Sequence, residues 1–154
     1  MLLELHNITI GQQIHGLSAT VGDGNVLSIT GSQGTGKTTL LRALLGFMPV
    51  DEGHISIDGE LLTMRSAPWF RRLMAYVPQH LEVPEDYDKV PTDYMALLER
   101  AVHSEKKLLL IDEPREALGF DDCQRAERLI ADAAERGATI VAVNSRITQN
   151  QIQL

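Results

Sequence analysis

A chain of 154 residues is long enough for one domain with a real core, and 44% apolar with 23% charged residues is ordinary for a soluble globular protein. A formal charge of −7 argues against the basic surface that nucleic-acid binding needs, and the single cysteine, Cys123, excludes an internal disulfide and fits a reducing cytosol. No apolar run approaches the ~20 residues of a membrane span, and the opening Met1-Leu2-Leu3-Glu4-Leu5-His6 lacks the regions of a signal peptide, so a cytoplasmic chain is expected.

Leu3 to Ile10 alternates roughly in twos and predicts a half-buried strand. Gly11-Gln12-Gln13 turns it, and Leu17 to Val21 alternates again. Asp23-Gly24 then delivers the chain into the apolar run Val26-Leu27-Ser28-Ile29-Thr30. After a glycine-rich stretch, Leu40, Leu41, Leu44 and Leu45 are spaced for one apolar helix face, with Gly46 to close the helix and Pro49 to stop it resuming. Gly53 to Leu62 reads as a hairpin with Asp58-Gly59 at its tip. Trp69 to Leu73 predicts a short basic helical turn, and Trp69, Phe70, Arg71 and Arg72 read as a solvated basic turn with a packed tryptophan, with a small docking patch as the alternative. The turn leads into a strand from Met74 that ends at Pro78, which cannot donate to a ladder.

Residues 80–91 are acidic, carry Pro84 and Pro91, and read as an exposed loop. Thr92 or Asp93 can cap a helix from Tyr94 to about Ser104 that puts Met95, Leu98, Ala101 and Val102 on one side. Leu108-Leu109-Leu110-Ile111 is a continuous apolar run typical of a central parallel strand, and it ends in Asp112-Glu113-Pro114. Asp121 and Asp122 open a helix striped with Ala126, Leu129, Ile130, Ala133 and Ala134, which Gly137 terminates. Ala138 to Val143 is a third buried strand, and a polar tail follows. Strands alternating with helices predict one α/β domain over 1–154. Its main sheet is parallel and flanked by helices, with a small antiparallel β layer at the start.

The glycine-rich stretch is Gly31-Ser32-Gln33-Gly34-Thr35-Gly36-Lys37-Thr38, with Thr39 after it. Strand, glycine loop and helix in that order are the context of a G-x-x-x-x-G-K-[ST] phosphate loop. Glycines let the backbone wrap closely enough to aim several N–H groups at one anion, and the first helical turn adds its own donors and the positive end of its dipole. In that arrangement Lys37 reaches the β- and γ-phosphates, and the Thr38 hydroxyl joins the shell of a Mg²⁺ ion. Asp112, at the end of an apolar strand, supplies a second oxygen for Mg²⁺, and Glu113 is placed to polarise an attacking water. The chain has no Asn-Lys-x-Asp motif to read guanine. His6, His15, His54, His80 and His103 are scattered without ligand spacing, and Cys123 reads as a structural or surface cysteine.

On these residues the sequence resembles the nucleotide-binding domain of an ABC (ATP-binding cassette) ATPase, a P-loop NTPase. The resemblance runs from Leu3 through the Walker A loop, Leu-Leu-Arg-Ala-Leu-Leu-Gly and Gly-His-Ile-Ser-Ile-Asp-Gly to Tyr-Val-Pro-Gln. It resumes from about Glu99 through Walker B to Val143. It implies ATP and Mg²⁺ as ligands, with Gln79 as the Q-loop glutamine touching Mg²⁺ and the attacking water. It also implies Glu113 as the catalytic carboxylate and Asp112, Thr38 and Gln79 around the metal. A signature-bearing ABC subunit or a membrane protein is the implied partner, which would hold a cytoplasmic chain at the inner face of a membrane.

The departures from the family pattern are as informative. From position 79 to position 112 is an interval of 33 positions, too few for a helical subdomain, and no Leu-Ser-Gly-Gly-Gln signature occurs. Gly119 stands where the family's D-loop has aspartate, and Ser145 stands where it has a switch histidine. No aromatic residue near Gly11 is placed to stack on adenine. In the family, ATP is enclosed between one subunit's Walker A and the other's signature, so two copies of this chain would close neither site. The expectation is Mg-ATP binding with slow hydrolysis unless a partner supplies the missing groups. Two other readings stand beside it: a module that regulates a partner by ATP occupancy alone, and a subunit that pairs with a full cassette.

Overall fold

The computed structural model describes residues 1–32, 34–78, 94–112, 118–143 and 150–154. Its strands are β1 (Leu3–Ile10), β2 (Ile14–Val21), β3 (Val26–Thr30), β4 (Glu52–Ile57), β5 (Glu60–Leu61), β6 (Met74–Val77), β7 (Leu108–Asp112), β8 (Thr139–Val143) and β9 (Gln151–Gln153). Its helices are α1 (Lys37–Leu44), α2 (Ala67–Arg71), α3 (Tyr94–Val102) and α4 (Phe120–Glu135). Two sheets result. One is antiparallel in the order β2-β1-β4-β5, and the other is parallel in the order β6-β7-β8-β3-β9.

The parallel strands read as unbroken apolar runs because both faces of the sheet are covered. Side chains alternate between those faces. Leu27, Ile29, Leu108, Leu110, Val141 and Val143 join Leu40, Leu41 and Leu44 of α1 in one cluster, which also takes Leu3, Leu5, Ile8, Ile55 and Ile57 from the antiparallel sheet. Val26, Leu109, Ile111, Ile140 and Ala142 point the other way, against Met95 and Leu98 of α3 and Ala126 and Ile130 of α4. Helix α1 therefore shares its core with both sheets. Each of its fully buried leucines contributes about 1.5–3 kcal/mol of burial.

Most of the predicted elements are present within a few residues of their expected bounds. The hairpin pairs β4 with β5 across Asp58-Gly59, and Gly46 closes α1 by donating to Ala43 O at 3.0 Å. Two expectations are corrected. Trp69 is not packed. It is 55% exposed, because α2 turns Ala67 and Phe70, three apart, into the core and leaves Trp69 edge-on to Phe70 outside. The polar tail is also not tail throughout: Gln151–Gln153 forms β9, parallel to β3, with Leu154 N donating to Thr30 O at 2.8 Å. An outer strand needs only Ile152 turned inward, so its polar flanks carried no strand signal. The loop expected at 80–91 and the cap at Thr92 or Asp93 lie outside the described residues.

The antiparallel sheet holds one backbone constraint of note. Register shifts interrupt β1 between His6 and Thr9 opposite β4, and there Gly53 adopts φ +82. A Cβ at Gly53 would meet His6 O at 2.2 Å and Asn7 O at 2.3 Å, both backbone atoms that cannot swing aside. Gly59, at φ +83, faces open space. Thermal or urea unfolding should find Gly53→Ala destabilised by about 3 kcal/mol or more, and Gly59→Ala by only about 1–2 kcal/mol. Equal costs at the two positions would contradict this packing of β1 on β4.

Candidate functional site

The carboxyl ends of the parallel strands set the site. Strand register aligns Ile29 of β3 with Val143 of β8, and Val143 in turn with Asp112 of β7. The chain leaving β3 and the carboxylate ending β7 thus emerge at one level, with one strand between them. Asp112 belongs to the face that carries Leu108 and Leu110, which is the α1 face, and it is only 2% exposed.

From Thr30 the chain loops back into α1, whose N-cap is Gly36 at φ +96 and ψ 14. That left-handed conformation suits glycine, and the space does too: a Cβ at Gly36 would stand 3.0 Å from Gln13 Cβ and 3.1 Å from Ile14 Cγ1. Lys37 opens the helix, and its Nζ turns back to donate to Gly31 O and, at 3.2 Å, to Ser32 O. Thr35 Oγ1 also donates to Ser32 O, at 2.7 Å. The first α-helical bond runs from Leu40 N to Gly36 O, so the amides of Lys37, Thr38 and Thr39 lie in the turn that has no acceptor inside the helix.

The Thr38 hydroxyl lies 3.4 Å from Asp112 Oδ2 across the sheet end, joining the two halves of the motif. Both are hard oxygen donors. Of the residues expected at the site, Gly31, Ser32, Gly34, Thr35 and Gly36 lie between β3 and α1, Lys37, Thr38 and Thr39 form the first turn of α1, and Asp112 faces that turn. Gln33, Gln79 and Glu113 lie outside the described residues, as does Ser145. Gly119 is the N-cap of α4, extended at φ −66 and ψ 167.

Two contributors carry no motif that a sequence reading would flag. Gln13, in the turn between β1 and β2, donates from Nε2 to Gly34 O at 3.1 Å and accepts from Thr39 Oγ1 at 3.4 Å. Tyr76 of β6 shares the face that carries Asp112. Burial, and to a lesser extent the Asp112 carboxylate, push its phenol above the ordinary value of 10.0, with Arg42 of α1 acting in the opposite direction. A separate apolar cavity of about 260 Å³, lined by Met48, Val50, Ile55, Leu61 and Met64 among others, takes in none of the loop residues.

A glycine loop between a parallel strand and a helix, faced by a strand-end aspartate, defines the P-loop class of α/β fold. The family model described as ABC transporter matches residues 14–91, and the chain belongs to that family. It is 32% identical to the zinc import ATP-binding protein ZnuC of Cereibacter sphaeroides, over 83% of this chain and 64% of that protein. It is 31% identical to the Fe(3+) ions import ATP-binding protein FbpC of Pseudomonas fluorescens, over 92% of this chain and 53% of that protein. The chain thus spans less than two thirds of each of these relatives. Among solved structures, an ATP binding subunit of an ABC transporter superposes with a TM-score of 0.79 at 19% identity, covering all of this chain and 86% of that one. At that identity the match speaks for the fold alone. Among the described residues, no helix is long and apolar enough to cross a membrane.

The Tyr76 environment gives a check that needs no ligand. Because its folded pKa is raised, an unfolding chain would lose this proton first, so the stability it contributes is full below about pH 10 and falls as pH rises toward the folded value. Near-ultraviolet titration of the wild type against Tyr76→Phe isolates this phenol. Its midpoint should lie above 10, and Asp112→Asn should bring it down. A midpoint at or below 10 that ignores Asp112 would place Tyr76 away from the carboxylate.

Proposed function

We propose that this chain binds Mg-ATP at the loop 31–38 and hydrolyses it slowly, as the ATP-binding component of a transporter-associated assembly. The observation that carries the reading is the convergence of Lys37, Thr38 and Asp112 on one end of the sheet, with Thr38 and Asp112 3.4 Å apart. The donor set fits the ligand. Lys37 spends its ammonium on the Gly31 and Ser32 carbonyls, weak acceptors that a phosphate oxygen would replace with a stronger, charge-assisted bond. The loop and first-turn amides then serve as further anion donors.

Thr38 and Asp112 supply the hard oxygens that Mg²⁺ prefers, and Asp112 stands buried at the strand end beside Thr38. When bound, Mg²⁺ supplies charge neutralisation of the phosphates. The remaining chemistry belongs to the chain: Lys37 orients the terminal phosphates, Glu113 draws a proton from the attacking water, and Gln79 orients that water with its amide.

The relatives are named as import ATP-binding proteins, and membership of the ABC transporter family supports a membrane permease or a signature-bearing subunit as partner. One observation favours a second reading, in which occupancy by ATP regulates the partner without turnover. Gly119, at the position that resembles the D-loop aspartate, puts no side chain at the head of α4, and the sequence carries no signature to complete a site on a second copy.

Binding and turnover measured on the purified chain with Mg-ATP separate these readings. Lys37→Ala should weaken binding by about tenfold to a hundredfold, the worth of a charge-assisted contact. Glu113→Gln should preserve binding and lower turnover by about a hundredfold or more. Equal turnover in the wild type and Glu113→Gln would remove the catalytic role and leave the occupancy reading. Unchanged affinity in Lys37→Ala would sink the nucleotide site itself.

A further inference from the structure

The phosphate loop takes part of its support from a residue of the other sheet. The turn 11–13 joins β1 to β2 in the antiparallel sheet, far from the loop in sequence, yet it sits directly over it. Gln13 Nε2 donates to Gly34 O at 3.1 Å, and Gln13 Oε1 accepts from Thr39 Oγ1 at 3.4 Å. The amide orientation follows from chemistry: a carbonyl can only accept, so the nitrogen must face Gly34 and the oxygen is left for the hydroxyl. Ile14, next along and 1% exposed, fills the space against Gly36.

We infer that Gln13 is a positioning residue for the phosphate loop, stapling its Gly34 segment to the first turn of α1 from the antiparallel sheet. Gly34, at φ +83, faces open space, so neighbouring side chains do not wedge this part of the loop. A loop that must present its amides to phosphates in one arrangement loses affinity when it samples others, because the ordering must then be done on binding. Gln13 does this ordering in advance, with both ends of its amide engaged. The inference rests on the reading of 31–38 as a Mg-ATP site, but its first consequence appears without nucleotide.

The test therefore has two readouts. Amide hydrogen exchange over 31–38 is measured on the nucleotide-free protein, and affinity is measured with a fluorescent ATP analogue in Mg²⁺. The variants are Gln13→Leu, which keeps the bulk and removes both bonds, Gln12→Leu as a control in the same turn, and Lys37→Ala. Gln13→Leu should speed exchange in the loop alone, leave the melting temperature within a few degrees of wild type, and weaken nucleotide binding by roughly fivefold to tenfold, as expected for one or two neutral hydrogen bonds. Gln12→Leu should change neither readout.

Unchanged loop exchange in Gln13→Leu overturns the inference whatever the affinity does. Loosening by Gln12→Leu to the same extent overturns it too, since the effect would then belong to the turn and not to the amide. If Lys37→Ala binds nucleotide as tightly as wild type, the nucleotide reading fails separately, and loop exchange still decides the role of Gln13. General destabilisation by Gln13→Leu, with exchange raised across β1 and β2 as well, would make Gln13 an ordinary structural residue and overturn its assignment.

Discussion

The register of three neighbouring parallel strands is the constraint on which the site depends. Ile29, Val143 and Asp112 lie level across β3, β8 and β7, so the glycine loop and the strand-end carboxylate face each other with no further adjustment. Adjacent strands sit about 4.8 Å apart. A single intervening strand therefore puts the loop and Asp112 within the reach of a threonine on the first turn of α1. A slip of one residue would turn Asp112 to the α3 and α4 face and separate it from Thr38. The register holds because each strand buries both faces. Leu108, Leu110, Val141 and Val143 go to one side, and Leu109, Ile111, Ile140 and Ala142 to the other.

The antiparallel sheet bears on this centre more directly than its place at the start of the chain suggests. Its inward residues share a core with α1, the helix whose N-terminus carries Lys37 and Thr38. Its first turn also touches the loop, through Ile14 against Gly36 and Gln13 across Gly34 and Thr39. These contacts tie the antiparallel layer directly to the backbone of the glycine loop and to the first turn of α1.

Much of this was legible in the sequence. The loop motif names itself because the chemistry needs glycine and lysine at set spacing, and the apolar runs before Gly31 and Asp112 mark strands buried on both sides. The hairpin at Asp58-Gly59 and the apolar face of α1 follow from turn chemistry and period. What escaped depends on tertiary neighbours. β9 escaped because an outer strand with one inward residue has no apolar pattern. Trp69 lies outside the core because a helix as short as α2 has room for only one inward aromatic, and the phase chose Phe70. Gln13 and Tyr76 bear on the loop and on Asp112 through contacts between sheets and between strands, which spacing along the chain does not encode.

On the proposed function, Thr38 and Asp112 form one magnesium-dependent nucleotide site with the loop. This is tested most directly by calorimetric titration with ATP, with and without Mg²⁺, on the wild type, Thr38→Val, Asp112→Asn and the double variant. Binding should be saturable and strengthened by Mg²⁺, with an increment reduced by either single change and a double variant that loses little more than the singles, since the two oxygens act on one ion. Binding that ignores Mg²⁺ in the wild type, or an increment untouched by both changes, would contradict it.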